Sequence, residues 1–401
     1  MRNKKRLITS ALFAGIILLS ISGISGQSHV KADEGEQNYL NENIVRPEEK
    51  ALEVLQGVNP MSETTVVYET AIVDENGIEF GKAFDYKVNG ESYGYAVFDE
   101  NIGRVTQFIY KKGQEGLLNC LKNKAEEDGI NMSNSLPVLI ANKNNPYSIN
   151  IVKKDGNALD IFGRRIKYSS SIMSKLVTQL KTSFKNNLSI GIYGINAKID
   201  YPFLKYGQLK KFVKNRYGKK MYKGYKAEYL KTFNQGNVQS NTGNKYACGV
   251  VAATFDLAMQ NRIYKSTWNT YNEIYKNANV ENGGTYGDSV AKSLNKYYKR
   301  YYKSNGFKAY FKDTKVRFAS IKKCVDSNYK SILDLFVKKS GHAVPVLGYY
   351  SYFFDSQNAV DYVIISTDWY DDCEMYFDSV YLNAGEMDSE AELIYMKPYN
   401  Y

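Results

Sequence analysis

The chain has 401 residues, a formal net charge of +11 and four cysteines. This length allows two or three domains with their own hydrophobic cores, which excludes a small scaffold that needs disulfides to fold. The sequence holds no C-x-x-C pair and no closely spaced cluster of cysteine and histidine. We therefore expect neither a metal site nor a bound cofactor.

The N-terminus has the pattern of a secretory signal peptide. A basic start is followed by an apolar run over 7–20 and then by small residues. This run is short for a membrane span, which needs about 20 residues, although an uncleaved anchor is the alternative. Cleavage after Ala32 fits the small-x-small pattern, and Gly26 is the competing position. We expect residues 1–32 to be removed and the protein to be secreted.

Residues 33–200 predict a β-rich domain. Apolar and β-branched residues recur over 64–110 and are interrupted by turn signals, which indicates a small antiparallel sheet. Asn89-Gly90 is the strongest of these signals, because this dipeptide favours a two-residue hairpin turn. Helices are expected to begin at Pro47, to cover 117–125 and to begin near Ile172.

Positive charge is concentrated in residues 201–232. The segment contains ten Lys or Arg residues and one acid, Glu228. Such a stretch can bind an anionic surface such as a cell-wall polymer, but a solvated basic linker is the simpler interpretation. Nucleic acid is not an expected partner, because the protein is exported and no recognition motif accompanies the charge. A long basic linker of this kind is a natural processing site.

The chemistry begins at Cys248, at the start of an apolar helix that follows the turn at Gly243. Unpaired N–H groups and the helix dipole favour an anion at this position, so a nearby cation can lower the pKa of a thiol there. The alternative is a cysteine that serves only as a small core residue.

Histidine decides between these interpretations. The chain has two, and His29 lies within the predicted signal peptide, so His342 is the base of any dyad in the mature protein. His342 follows Gly341 and opens a predicted strand that contains Pro345.

A carboxylate is predicted to face this histidine. With a turn centred at residue 355, the antiparallel hairpin pairs His342 with Asp368. Asp368 would then accept a hydrogen bond from Nδ1 and leave Nε2 free for the thiol. A turn two residues later favours Asp371 or Asp372 instead.

An oxyanion needs donors, and the N–H of Cys248 supplies one. A side-chain amide is the usual second donor, and Gln235 or Gln239 lies upstream. We favour Gln235, because the adjacent Gly236 allows backbone and ligand to approach closely.

These motifs, in this order, resemble papain-like cysteine peptidases, and most nearly the secreted bacterial C39-like and staphopain or streptopain types. The resemblance covers about residues 225–401. It implies an α+β fold, with a helical lobe that carries the cysteine and an antiparallel β lobe that carries the histidine. It also implies catalytic roles for Gln235, Cys248, His342 and Asp368, hydrolysis of peptide bonds in proteins or peptides, and a monomer. Aspartate at 368 and a long spacing from Gln235 to Cys248 depart from papain itself.

The resemblance further implies that residues 33–200 are a propeptide, that 201–232 is a basic processing linker, and that 233–401 is the peptidase domain. The protein is thus expected to be a secreted zymogen. Cys324 is predicted to be a helical core residue, and a Cys324–Cys373 disulfide would leave Cys248 free. Transglutaminase-like or amidase-like acyl transfer on the same triad is one alternative, and a non-catalytic wall-binding protein is another.

Overall fold

A computed structural model describes most of the chain from Arg46 to Pro398. The described residues are 46–58, 64–142, 145–186, 215–220, 233–244, 246–280, 287–303, 306–312, 316–335, 341–353, 359–366, 374–379, 382 and 391–398. The predicted signal peptide lies outside them. In the described part of the chain, no helix combines the length and apolar character needed to cross a membrane.

Eight helices and fifteen strands lie within the described residues. The helices are α1 Pro47–Val58, α2 Leu117–Glu127, α3 Ser170–Asn186, α4 Gln235–Thr242, α5 Cys248–Met259, α6 Thr267–Ala278, α7 Gly287–Tyr301 and α8 Phe318–Asp326. The strands are β1 Thr64–Val73, β2 Glu79–Val88, β3 Glu91–Asp99, β4 Arg104–Tyr110, β5 Ser135–Asn142, β6 Asn145–Lys153, β7 Asn157–Asp160, β8 Arg165–Lys167, β9 Asn215–Lys220, β10 Phe307–Lys312, β11 Lys330–Leu335, β12 His342–Phe353, β13 Ala359–Ser366, β14 Glu374–Asp378 and β15 Glu392–Pro398.

The strands form one large mixed sheet in the order β10-β15-β11-β12-β13-β14-β4-β3-β2-β1-β5-β6-β7-β8, with β9 added beside β12. Neighbouring strands are antiparallel except for the parallel pair β1 and β5. Strand β4 pairs with β14, so the sheet continues from the N-terminal part of the chain into the C-terminal part. The predicted α+β class is confirmed. The predicted domain boundaries stay predictions.

The hairpin at Asn89-Gly90 is confirmed. It joins β2 to β3, and both residues adopt left-handed backbone angles, with φ of 50° and 81°. This conformation is what a two-residue turn requires to match the twist of the strands, and Asn and Gly are the residues that tolerate it. The predicted helices are also present as α1, α2, α3, α5 and α8.

Helix α5 is the central buried helix of the C-terminal part. Every residue from Gly249 to Ala258 is buried, as the nearly continuous apolar sequence predicts. It packs with α4, α6 and α7 on one face of the sheet, where Ile332, Ala343 and Ile394 belong to the same apolar cluster. Full burial of each valine or leucine contributes about 1.5–3 kcal/mol, so the start of α5 is firmly positioned against strands β11, β12 and β15.

Candidate active site

A turn delivers the chain to the first residue of α5. Helix α4 ends at Gly243, whose φ of 71° places it in the left-handed region and whose N–H donates to the carbonyl of Gln239. The side chain of Asn244 is then hydrogen-bonded to the hydroxyls of Tyr271 and Tyr275 on α6. Cys248 follows as the first residue of α5, with no side-chain cap on the helix. In the first helical turn, the N–H of Gly249 lies near the thiol and lowers its pKa.

The start of β12 meets the start of α5. His342 is the first residue of β12 and is 3% exposed. The backbone N–H of the next residue, Ala343, lies close enough to the thiol of Cys248 to lower its pKa. Ala343 is 95 positions further along the chain than Cys248, so the fold brings two distant segments together at the thiol.

The thiol of Cys248 is not activated in this state. The residue is half-buried, and burial raises the pKa of the thiol from 9.0 to about 11, with the nearby carboxylate of Asp334 adding to the rise. The N–H groups of Ala343 and Gly249 and the charge of Arg164 lower the pKa, but by less. From its position at a helix start, the pKa of the thiol was expected to be lowered if a cation lay close by. The desolvation of the sulfur and a neighbouring carboxylate outweigh the helix terminus.

Among the charged groups near the thiol, Asp334 has the largest effect on its pKa. It lies on β11, opposite Ala343 of β12 on one side and Glu392 of β15 on the other. It is 8% exposed, and within the described residues its Oδ1 has no hydrogen-bond partner. Burial raises the pKa of Asp334 from 3.8 to about 7, with Glu392 adding to the rise and Arg164 opposing it.

A turn from the N-terminal part covers His342. Phe162, in the turn between β7 and β8, is 1% exposed, and its ring centroid lies 5.0 Å from that of His342 at an interplanar angle of 42°. The same ring stacks on Phe377 of β14 at 6.2 Å. In the intact chain, therefore, one face of the candidate base is occupied by an aromatic side chain of residues predicted to be propeptide.

The turn that carries Phe162 is held by a buried carboxylate. Asp160 is fully buried and accepts hydrogen bonds from the N–H groups of Phe162 and Arg164, at 3.0 and 2.8 Å. It also accepts from Nε of Arg164 at 2.6 Å, while Nη2 of Arg164 donates to Ser148 at 3.1 Å. These bonds fix the guanidinium, and Gly163 supplies the positive φ of 70° that the turn requires.

The hairpin of β12 and β13 has a different register from the predicted one. Paired residue numbers add to 712 from Gly348 to Phe353 and to 711 at Val346, because a bulge lies between these positions. The prediction used 710. An extra residue in one strand shifts every later pair, and the sequence does not mark it. Asp368, Asp371 and Asp372 lie outside the described residues, so the third member of the triad stays a prediction.

Of the other predicted residues, some are described by the structure and some are not. Gln235 is the first residue of α4, and its side chain is not among those that the structure describes. Cys324 is buried in α8, as predicted, and is a free thiol. Cys373 is not described, but because Cys324 is a free thiol, the Cys324–Cys373 disulfide that the sequence left open is not formed. Of the basic segment 201–232, the backbone of β9 is described, and it pairs with β12.

Three residues beside the candidate site were not found from the sequence. Phe162 and Arg164 lie in a turn with no local signal for a site, and only the fold brings them to His342 and Cys248. Asp334 carried a signal, because an acid in the apolar strand Ser331–Leu335 needs a reason to be buried. Its place beside the thiol is that reason.

No group of three or more histidine, cysteine or carboxylate side chains suited to a metal ion occurs among the described residues. No family model matches the sequence, and a comparison with curated proteins finds no significant match.

Proposed function

We propose that the chain is the precursor of a secreted cysteine peptidase of papain-like type, with Cys248 as nucleophile and His342 as base. One observation carries the proposal: the backbone N–H of Ala343, the residue after the histidine, lies near the thiol of Cys248 and lowers its pKa. His342 is the chain's last histidine, and Cys248 begins a buried helix. The packing of α4–α7 on one face of the sheet supports a helical lobe beside a β lobe.

In the proposed reaction, His342 takes the proton of the Cys248 thiol and the thiolate attacks the carbonyl carbon of a peptide bond. The carbon–nitrogen bond breaks as His342 returns the proton to the leaving amine, which leaves a thioester on Cys248. Water, deprotonated by His342, then hydrolyses the thioester. The N–H of Cys248 and the amide of Gln235 stabilise the oxyanion, and Asp368 orients His342.

Latency is the second part of the proposal. Phe162 covers His342, and the pKa of the thiol is about 11, so the intact chain holds an unreactive thiol beside a shielded base. Removal of the N-terminal region would uncover His342. Cleavage is expected within 201–232, on either side of β9, because a residue paired in a sheet does not fit the extended site of a protease.

The substrates are expected to be proteins or peptides, and the active enzyme is expected to be a monomer outside the cell. The basic segment 201–232 adds a means of holding the precursor at an anionic cell wall.

Hydrolysis of labelled casein tests the proposal. The processed wild type is expected to be active, and the variants Cys248→Ala and His342→Ala are expected to lose at least a thousandfold. Cys324→Ala is the matched control, since it removes the other described free thiol of the predicted peptidase domain and should leave activity unchanged.

The same assay separates the alternatives. Incorporation of a labelled amine that depends on Cys248 and exceeds hydrolysis would indicate acyl transfer to amines. An active His342→Ala variant, or a processed wild type that neither cleaves nor transfers, would overturn the proposal and leave a binding protein.

A further inference from the structure

The strands beside Cys248 place two carboxylates in one row. Ala343 of β12, Asp334 of β11 and Glu392 of β15 are direct partners in adjacent strands. Side chains at the same level of neighbouring strands point to the same face, and each strand adds about 4.8 Å. The row therefore starts at the N–H that lies near the thiol and continues through Asp334 to Glu392.

This row lies on the face that carries α5. Ile332 and Ile394, two residues along β11 and β15 from these carboxylates, pack in the same cluster as Val250 of α5. Because side chains two residues apart in a strand share a face, Asp334 and Glu392 extend this apolar surface towards the helix start. The electrostatic effect of Asp334 on the pKa of Cys248 agrees with that placement.

Asp334 is buried without a cation of its own. In the described part of the chain no lysine or arginine lies within salt-bridge distance of it, and its Oδ1 has no hydrogen-bond partner. Arg164 acts on both Asp334 and Cys248 through its charge, but its described hydrogen bonds go to Asp160 and Ser148. An ionised carboxylate that is buried without a cation raises the free energy of the folded state unless a positive group reaches it.

We propose that Asp334, supported by Glu392, is the specificity residue that binds an arginine or lysine side chain of the substrate next to the scissile bond. This inference rests on the proposed peptidase function. In the intact chain Arg164 supplies positive charge near this site from the N-terminal part. Once that part is removed, Asp334 is left as a buried carboxylate beside the nucleophile that a cationic side chain of the substrate complements.

Paired peptide substrates test the inference on the processed enzyme. A peptide library first identifies the position at which wild type prefers arginine or lysine, and two peptides that differ there, arginine against leucine, are then compared. In Asp334→Asn the kcat/KM for the arginine peptide is expected to fall at least tenfold, while the value for the leucine peptide changes less than threefold. Asp334→Glu should restore part of the preference.

Glu273→Gln is the matched control, because it removes a carboxylate that pairs with Arg300 at the surface. It should leave the arginine-to-leucine ratio unchanged. A wild-type enzyme that cleaves peptides without enrichment of basic residues at any fixed position would overturn the inference, even if Asp334→Asn fails to fold. An equal loss for both peptides in Asp334→Asn would also overturn it. If the processed wild-type enzyme cleaves no peptide at all, that result would instead count against the peptidase function itself.

Discussion

The raised pKa of Cys248 makes a quantitative prediction about thiol reactivity in the intact chain. Thiolate, and not thiol, attacks a disulfide reagent. At pH 8 a thiol with the pKa of about 11 found here holds about 0.1% thiolate, against about 9% at the ordinary value of 9.0. The thiolate of higher pKa is about 6–10 times more nucleophilic, which offsets part of that difference. The net expectation is a rate about tenfold lower, before any steric shielding.

Two single substitutions should change this rate in opposite directions. The charge of Asp334 raises the pKa of Cys248 and that of Arg164 lowers it. Asp334→Asn should therefore speed the reaction above pH 7, where the native carboxylate is ionised, and Arg164→Gln should slow it. Each unit of pKa corresponds to about a threefold change in net rate. Arg164→Lys is the matched control, because it keeps the charge.

The measurement uses an aromatic disulfide reagent at pH 8, followed by peptide-level mass spectrometry, so that Cys120, Cys248 and Cys324 are quantified separately. The same protein in denaturant gives the reference rate. The reasoning is refuted if Cys248 in the folded chain reacts as fast as in denaturant, or if both charge substitutions shift the rate in the same direction.

Three further predictions concern the N-terminal part. Phe162→Ala should give the intact chain measurable caseinolytic activity, because it uncovers His342; unchanged latency in a folded variant contradicts this. The pKa of Glu69 is raised from 4.5 to about 8, mainly by burial. Between pH 4.5 and 8, Glu69 is protonated in the folded protein and ionised in the unfolded chain, so the free energy of unfolding falls as the pH rises through this range. Glu69→Gln should therefore be more stable than wild type at pH 8 but not at pH 4. Urea unfolding at the two pH values measures this difference. Arg104 pairs with the fully buried Asp378 at 2.6 Å; Arg104→Met should cost about 2–4 kcal/mol in the same assay, and a neutral result would contradict the pairing.

Local sequence signals predicted the elements of the fold well. The hairpin at Asn89-Gly90 depends on two residues that tolerate a left-handed backbone, and α5 depends on a continuous apolar run, so both could be found without knowledge of the rest of the chain. The bulge next to Leu347 could not, because an extra residue in a strand leaves the alternation of buried residues interpretable in either register.

The candidate site likewise combines local sequence signals with contacts that only the fold creates. Cys248 and His342 carry signals in their own segments, a helix start and a strand start. The pKa of the thiol depends instead on Asp334, 86 positions away, and the shielding of His342 depends on Phe162, 180 positions away. Charges and contacts that the fold brings from distant segments outweigh the local helix terminus.

Loss of the N-terminal part has two opposite effects on the candidate site, and they lead to a last prediction. It frees His342 from Phe162, but it also removes Arg164, a charge that lowers the pKa of Cys248. The carboxylate of Asp334 would then oppose thiolate formation more strongly, unless a basic substrate side chain replaces the lost charge. One unit charge about 7 Å away, at an effective dielectric constant of about 20, shifts a pKa by on the order of one unit.

The acidic limb of the kcat–pH profile reports ionisation in the substrate complex, as a property of the cysteine and histidine together. It should therefore lie at lower pH, by on the order of one unit, for an arginine peptide than for its leucine counterpart. In Asp334→Asn the separation of the two limbs should shrink, because the carboxylate beside the thiol is gone and Glu392 lies one strand further away. Coincident limbs in the wild-type enzyme would mean that Asp334 does not couple substrate charge to the thiol, whatever its effect on binding.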